Sequence, residues 1–548
     1  MSTTGFPVFI VSSFVFLFLL IFKIYHTQWR TPTCLQKLMG LQGIKGPSYR
    51  LVHGNAKEIL NLKKEAMSRP KGLSHDIFPI VQPQYHSWLK IYGKIFLQWL
   101  GTEAQLVVME PKLCKEILNN KDRVYLQMKQ QGFGKKLIGN GLGTSEGEQW
   151  LKLRKLANHA FHGESLKNMV PDMIASAENM LQRLQNSEGK EIEMYQEFKL
   201  FTSEVISRTA FGSSYLQGKK IFDMLTEISL LLFKNSYKIR LPGIRKLFKT
   251  SDEIQAEKLE KEIRDTILEI VKKRENKAVT QQDEHNFGGD FLGLLLKAHH
   301  DDCNDRYRVT KDDIIDQCKA LYFAGQETTN GLLAWTVFLL ALHQDWQEEA
   351  RKEVLQLFGK QNPNSDGISR LKTVRMSITV TLKLSSVKYE ILISVLSHFV
   401  SIFLMQMNMI INESLRLYPP VSQLVKKAER KSRLGKLIVP ANIDLVIPTV
   451  ALHHDPQIWG QDVELFKPER FSEGVAKATK DNMAAFIPFG MGPRICVGFN
   501  FATTETKIAL SMILQRYAFT LSLGYVHSPL HFLTVRPQHG VQVMLHSL

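Results

Sequence analysis

The run Phe489-Gly490-Met491-Gly492-Pro493-Arg494-Ile495-Cys496-Val497-Gly498 sets one cysteine among glycines in a loop that leads toward a helix. A thiolate so placed suits ligation of haem iron, where it pushes electron density to the opposite face and favours O–O cleavage. Glycines on either side let the backbone approach the sulfur and turn main-chain N–H groups toward it. Arg494 has the planar fork that pairs with a carboxylate such as a haem propionate. The cysteine and glycines alone also fit a buried structural thiol in a glycine-rich turn.

Three further groups have chemistry that would serve such a centre. Ala324-Gly325-Gln326-Glu327-Thr328-Thr329 joins a carboxylate to a hydroxyl, a pair suited to hydrogen bonding and to proton relay through water. Glu413-Ser414-Leu415-Arg416 puts acid and base three apart on one helix face. Exposed pairs of that kind contribute about 0.5 kcal/mol or less. Trp150 and Arg154, at i and i+4, share a face, although a packed Trp beside a surface Arg is the ordinary outcome.

The elements that must position these groups are mainly helical. Residues 311–343 contain no proline and turn steeply apolar toward Leu342, which predicts a helix crossing the interior. Much of 110–275 has helical spacing, 253–274 most clearly, and 281–290 reads as an exposed loop. Residues 437–450 and 533–546 carry the β-branched content of short strands. The expected fold class is mainly α with a minor β part.

Residues 6–22 form an uncharged apolar run near the minimum length for a membrane helix, followed by Lys23, Arg30 and Lys37. No positive charge precedes the run and no small-residue cleavage site follows it, which favours an anchor over a cleaved signal. The basic residues after it place the remainder on the cytoplasmic side. The expected organisation is a single-pass anchor at 1–25, a hinge at 26–50 that ends in a Gly-punctuated turn, and one large domain at 51–548. The 548 residues carry a net charge of +17, but Lys and Arg are dispersed rather than gathered into nucleic-acid arms. A lipid surface and an acidic protein partner suit that charge better. Five scattered cysteines form no C-x-x-C pair, so neither a disulfide framework nor a zinc site is indicated.

Taken together, Phe-x-x-Gly-x-Arg-x-Cys-x-Gly, the Ala324–Thr329 stretch, Glu-x-x-Arg at 413–416, Phe466-Lys-Pro-Glu-Arg470-Phe471 and Trp-x-x-x-Arg at 150–154 resemble the cytochrome P-450 family. The resemblance implies a P-450 fold with haem b on Cys496, and Phe489, Gly492 and Gly498 shaping the loop. It implies Arg494, Trp150 and Arg154 at the propionates, and Ala324 and Gly325 where dioxygen must fit. Thr328 and Glu327 would deliver protons, and Glu413, Arg416 and Arg470 would form a buried ion network. The sequence contains neither a G-x-G-x-x-G fingerprint nor a P-loop, and Gly139-Asn140-Gly141-Leu142-Gly143 breaks the spacing. Electrons would come from NADPH through a membrane-bound flavoprotein reductase, at the endoplasmic reticulum with the catalytic domain facing the cytosol. The leader 43–47, residues 323–329 and the helix through Trp335 look most like the plant clan that hydroxylates isoprenoids, including steroids, triterpenoids and gibberellins. The implied substrate is thus a hydrophobic small molecule, with O2 as co-substrate. A reductase-independent isomerase or dehydratase is the rival reading.

Residues 374–406 do not fit this pattern. In the resembled family their flanks lie almost side by side, and 391–405 is an apolar run that would invite aggregation if exposed. The segment begins with Val, whose codons start GT, and ends with Gln, one of whose codons is CAG. It reads as a retained intron or gene-model insertion, which would leave a catalytically impaired product; a genuine insertion loop is the alternative.

Overall fold

The computed structural model describes residues 5–68, 72–186, 189–213, 215–238, 249–280, 287–301, 308–368 and 406–548. Residues 374–405, the first part of the 281–290 loop, residues 239–248 and Cys303 lie outside the described residues.

The Lys311–Leu342 helix forms as its sequence predicts and runs through the core. Thr310 and Asp313 start it with a capping box: the Thr310 hydroxyl accepts the Asp313 N–H at 3.1 Å, and Asp313 accepts the Thr310 N–H at 2.8 Å. Its second half, from Leu332 to Ala341, is buried throughout. The Met194–Phe211 helix lies along it, and the Gln406–Leu417 and Phe499–Leu514 helices also pack against it. The expected helices 110–275 are interrupted by short strands.

Strands form four sheets among the described residues. The largest orders Ile95–Leu100, Glu103–Val108, Asp444–Pro448, Gln423–Ala428 and Tyr125–Gln127. Leu106 pairs in parallel with Leu445, and Val425 pairs antiparallel with Val446. Strands expected in 437–450 and 533–546 are present as Leu437–Val439, Asp444–Pro448, Val535–Pro537 and Gln542–Ser547. The hairpin at 95–108 was not anticipated; its alternating apolar residues sit in IFLQWL and EAQLVV, with Gly101 at φ +62° turning the chain.

The N-terminal helix Gly5–Tyr25 continues through a π-helical turn, His26–Arg30, into Thr31–Gly40. Helix therefore extends well into the expected hinge, with Pro32 placed just after the π-helical turn, where the regular hydrogen-bond ladder is already interrupted. Val11–Gly40 is long and apolar enough to cross a membrane, with Phe14, Phe16, Phe18 and Phe22 exposed. After Gly40 the chain docks on the globule: Gln42 exchanges two hydrogen bonds with the Ile438 backbone, at 3.0 and 2.6 Å, and Leu97 N–H donates to Lys45 at 2.9 Å. A side chain on Gly46 would collide with the Leu97 carbonyl at 1.9 Å.

The Gln406–Leu417 helix is held at its start from outside. Glu353, fully buried on the Gln344–Phe358 helix, accepts the Met407 N–H at 2.7 Å. Burial pushes the Glu353 carboxyl up to about 7, against the opposing effects of the Met407 N–H and the Lys507 charge. A raised acid keeps its proton in the fold after the unfolded chain has lost it, so stability is full below pH ~4.5 and falls as pH rises toward 7, by on the order of 3 kcal/mol. Glu353→Gln keeps an acceptor for Met407 and is expected to flatten that slope; urea unfolding at pH 5 and pH 7.5 checks it, and an unchanged slope would contradict the assignment.

Candidate active site

Two glycines in the left-handed region shape the Cys496 loop. Gly490 and Gly492 both have φ +75°, and a Cβ on Gly492 would stand 2.5 Å from the Leu118 carbonyl oxygen. The Cys496 N–H donates to the Phe489 carbonyl at 2.9 Å, and Ile495 N–H to Gly492 at 3.1 Å. The Phe489 ring meets Phe499 edge-on at 4.7 Å, and Gly498 leads into the Phe499–Leu514 helix. The thiol is reachable by solvent yet ringed by protein atoms. Burial pushes it up, while the Gly498 N–H and the Arg154 charge act the other way.

Cations gather beside this loop. Trp150 and Arg154 lie on the Gly147–Phe161 helix, and Arg154 Nη1 donates to the Ile495 carbonyl at 2.6 Å. The Arg494 guanidinium lies 4.0 Å over the Trp150 ring, donates to the Ser145 carbonyl at 2.8 Å and pairs with Glu146. Glu146 in turn accepts the Gln127 N–H at 2.6 Å. Lys426, 4% exposed, is pulled down to about 8 by burial first and then by Arg494, with Glu146 opposing. Three cations and one carboxylate therefore stand together, and their surplus positive charge suits anionic groups.

The Ala324–Thr329 turn sits mid-helix. Ala324 is exposed and Thr328 half-buried, in a helix whose later turns are buried, so this face looks onto open space rather than packed side chains. The Thr328 hydroxyl donates to the Ala324 carbonyl at 2.7 Å, which leaves its lone pairs free toward that space. Glu327 points elsewhere: its Oε1 accepts from Thr534 Oγ1 at 2.9 Å and Tyr195 OH at 3.5 Å, with Arg536 Nη1 at 4.0 Å. Gly325 also differs from expectation. A side chain there would meet Ile206 Cδ1 at 2.8 Å on the Met194–Phe211 helix, so the glycine permits close helix packing. Gly325→Ala should cost about 1–3 kcal/mol by overpacking in the parent and much less when made on top of Ile206→Ala, which removes the clashing atoms. Thermal unfolding of the single and double variants tests it; an equal loss from Gly325→Ala in both backgrounds would refute the packing role.

Glu413 and Arg416 are both 0% exposed and paired twice, Nε to Oε2 and Nη2 to Oε1, each at 2.7 Å. Arg416 also donates to the His453 and Leu465 carbonyls at 3.1 and 3.3 Å. Arg470 is a looser third member, with Nε 3.5 Å from Glu413 Oε1. Its short bonds go to the Trp459 and Asp462 carbonyls, at 2.7 and 2.6 Å, and to the Asp462 carboxylate at 2.9 Å. Lys467 and Arg470 hold Asp462 down to about 2.

The family model described as Cytochrome P450 matches residues 80–393 and 404–544. The chain belongs to the cytochrome P450 family. It is 54% identical to Cytochrome P450 CYP749A22 of Panax ginseng, over 98% of this chain and 97% of that one. It is 36% identical to 7-deoxyloganic acid hydroxylase of Catharanthus roseus, over 96% of both chains. The solved cytochrome P450DA heme domain has the same fold, with TM-score 0.69 at 20% identity, covering 92% of this chain and 98% of that one.

For a cytochrome P450 the implied prosthetic group is haem, and the residues present fit it. The accessible Cys496 thiol would supply a thiolate ligand, and the excess of cations at Arg154, Arg494 and Lys426 would suit carboxylates such as propionates. The structure places Cys496, Arg494, Trp150 and Arg154, which the sequence analysis singles out, beside one another. Glu146 and Lys426 join them only in the fold, as do Tyr195, Thr534 and Arg536 around Glu327. None of these stands at a telling local spacing; Thr534 lies 207 positions from Glu327, and only the tertiary fold joins them.

Proposed function

We propose that this cytochrome P450 is a haem-thiolate monooxygenase that inserts one atom of O2 into a hydrophobic, isoprenoid-type substrate. NADPH supplies the electrons through a flavoprotein reductase at the endoplasmic reticulum membrane. The carrying observation is the Cys496 thiol beside the Arg154, Arg494 and Lys426 cations, in one fold with a mid-helix turn that opens at Ala324 and Thr328. The hydroxylase name of the Catharanthus relative supports the same reaction type. When bound, haem supplies the activation of dioxygen.

The chain's own part is to hold, orient and supply protons. Cys496 ligates through Sγ, with its loop fixed by the Phe489 carbonyl and the two positive-φ glycines. Arg154, Arg494 and Lys426 take the propionates, and Trp150 backs Arg494. Thr328 Oγ1 offers its lone pairs at the open turn, and Glu327 passes protons toward that hydroxyl through water. Glu413, Arg416 and Arg470 keep the core behind the thiolate loop in place. The apolar helix ending at Gly40 anchors the chain.

Residues 374–406 are an insertion in this reading, and the family match is broken at 394–403, inside that segment. The segment joins directly to the helix that carries Glu413 and Arg416, so a chain that contains it is expected to retain less haem than one without it. Membranes holding the protein and a plant NADPH-dependent reductase, supplied with 18O2 and a panel of triterpenoids, steroids and gibberellins, test the function. The expected product carries one 18O atom and forms only with NADPH. Product formed equally well without NADPH would favour the isomerase reading instead.

A further inference from the structure

Gly139-Asn140-Gly141-Leu142-Gly143 lies against the first half of the Lys311–Leu342 helix and is held there by its backbone. The Asn140 N–H donates to Asp316 Oδ2 at 2.7 Å, and the Leu142 N–H donates to Gln317 Oε1 at 2.9 Å. Two glycines permit this approach: a Cβ on Gly139, at φ +59°, would collide with the Asp316 carboxylate, and one on Gly141 would stand 2.7 Å from Ala320 Cβ. Asp316 is itself paired at 2.9 Å with Lys319, a lysine with 4% of its side chain exposed that also reaches Glu260 at 3.8 Å. The loop then leads to the groups around Arg494. The Gly141 carbonyl accepts the Ser145 N–H at 2.9 Å, and Ser145 and Glu146 both hold the Arg494 guanidinium. Gln149 donates to Asp313 Oδ1 at 2.7 Å and accepts from Asn140 Nδ2 at 2.8 Å, which ties the start of the Gly147–Phe161 helix, and so Trp150 and Arg154, to the same stretch of the long helix.

We propose that the glycine loop is a clasp, and that Asp316 and Gln317 are positioning residues that use it to register Arg494, Trp150 and Arg154 against the long helix, fixing the depth at which the haem propionates are held. This rests on the reading of those cations as the propionate site. Asp316 and Gln317 act through the loop, because their bonds go to the Asn140 and Leu142 N–H groups. A backbone N–H held by a carboxylate forms a charge-assisted bond, stronger than a neutral one, and the Lys319 pair keeps that carboxylate in one orientation. The same helix carries the open turn at Ala324 and Thr328 about two turns further on, so the clasp also sets the propionate cations at a fixed distance from that turn. Residues that orient a site's own ligands commonly change its affinity by about tenfold or more when removed.

The full-length holoprotein provides the test, through the rate of haem transfer to excess apomyoglobin, the propionate bending band in the resonance Raman spectrum and hydrogen exchange over residues 139–150. Asp316→Ala opens the clasp from the helix side and Gly139→Ala from the loop side, so one variant serves if the other fails to fold. Each is expected to speed haem transfer about tenfold, to shift the propionate band and to raise exchange across the loop. The double change Asp316→Asn with Lys319→Met keeps an acceptor for the Asn140 N–H and removes both charges of the pair, and should transfer haem within about twofold of the parent rate. Faster transfer in the single variants with the propionate band unmoved would reduce the clasp to a stability effect and overturn the proposal. Arg154→Gln separates the two readings. A shifted band in Arg154→Gln, with none in Asp316→Ala or Gly139→Ala, overturns the clasp and leaves the propionate site standing; an unmoved band in Arg154→Gln removes the propionate site and the clasp with it.

Discussion

Replacing Arg416 with leucine is expected to destabilise the fold by about 3–5 kcal/mol, the largest loss of stability from any single change considered. Glu413 is 0% exposed and would lose both 2.7 Å bonds at once. The Lys467 N–H at 3.0 Å would remain, with Arg470 at 3.5 Å, too little to compensate a buried carboxylate. The His453 and Leu465 carbonyls would also lose a donor. Much of the cost comes from the orphaned charge, so the double change Glu413→Gln with Arg416→Met should recover part of it. Urea unfolding and the fraction of protein that retains haem measure both variants. A loss below about 1 kcal/mol for Arg416→Leu would place the pair among ordinary surface ion pairs and remove the core-holding role.

Replacing Cys496 with serine should abolish the thiolate spectrum and reduce monooxygenase turnover to background, with the fold intact. The exchange alters one side-chain atom, and the loop is held by main-chain bonds, Cys496 N–H to Phe489 and Ile495 N–H to Gly492, that serine keeps. Helix content by circular dichroism should therefore match the parent, while the reduced carbon monoxide complex should lose its red-shifted band. Cys114→Ser and Cys318→Ser are the controls: both thiols are buried, and burial pushes both well up, so neither is suited to ligation. A red-shifted band that survived in Cys496→Ser would assign the ligand to another cysteine.

The long helix, the thiolate loop and the Trp150–Arg154 face were legible because each rests on local spacing. A proline-free apolar stretch, a glycine-flanked cysteine and an i, i+4 pair determine geometry within a few residues. What escaped depends on contacts across the chain. Gly325 reads locally as a thinning of the helix, yet Ile206 on another helix decides why no side chain fits there. Glu327 reads as half of a local pair with Thr328, yet its carboxylate is claimed by Thr534 and Arg536 from the C-terminal strands. Lys426 and Lys427 are adjacent, and nothing local distinguishes them; the fold buries Lys426 and leaves Lys427 in contact with Asp444 at 3.7 Å. The N-terminal helix runs past residue 25 because nothing from His26 to Met39 breaks a helix except Pro32, which follows directly on the π-helical turn His26–Arg30.

The measurement closest to the central claim is the reduced carbon monoxide difference spectrum of the full-length protein in membranes, recorded beside a form lacking residues 374–406. A red-shifted thiolate Soret band that depends on Cys496 is expected, stronger in the shortened form. Absence of that band from both forms, with the polypeptides present and folded, would contradict a haem-thiolate centre.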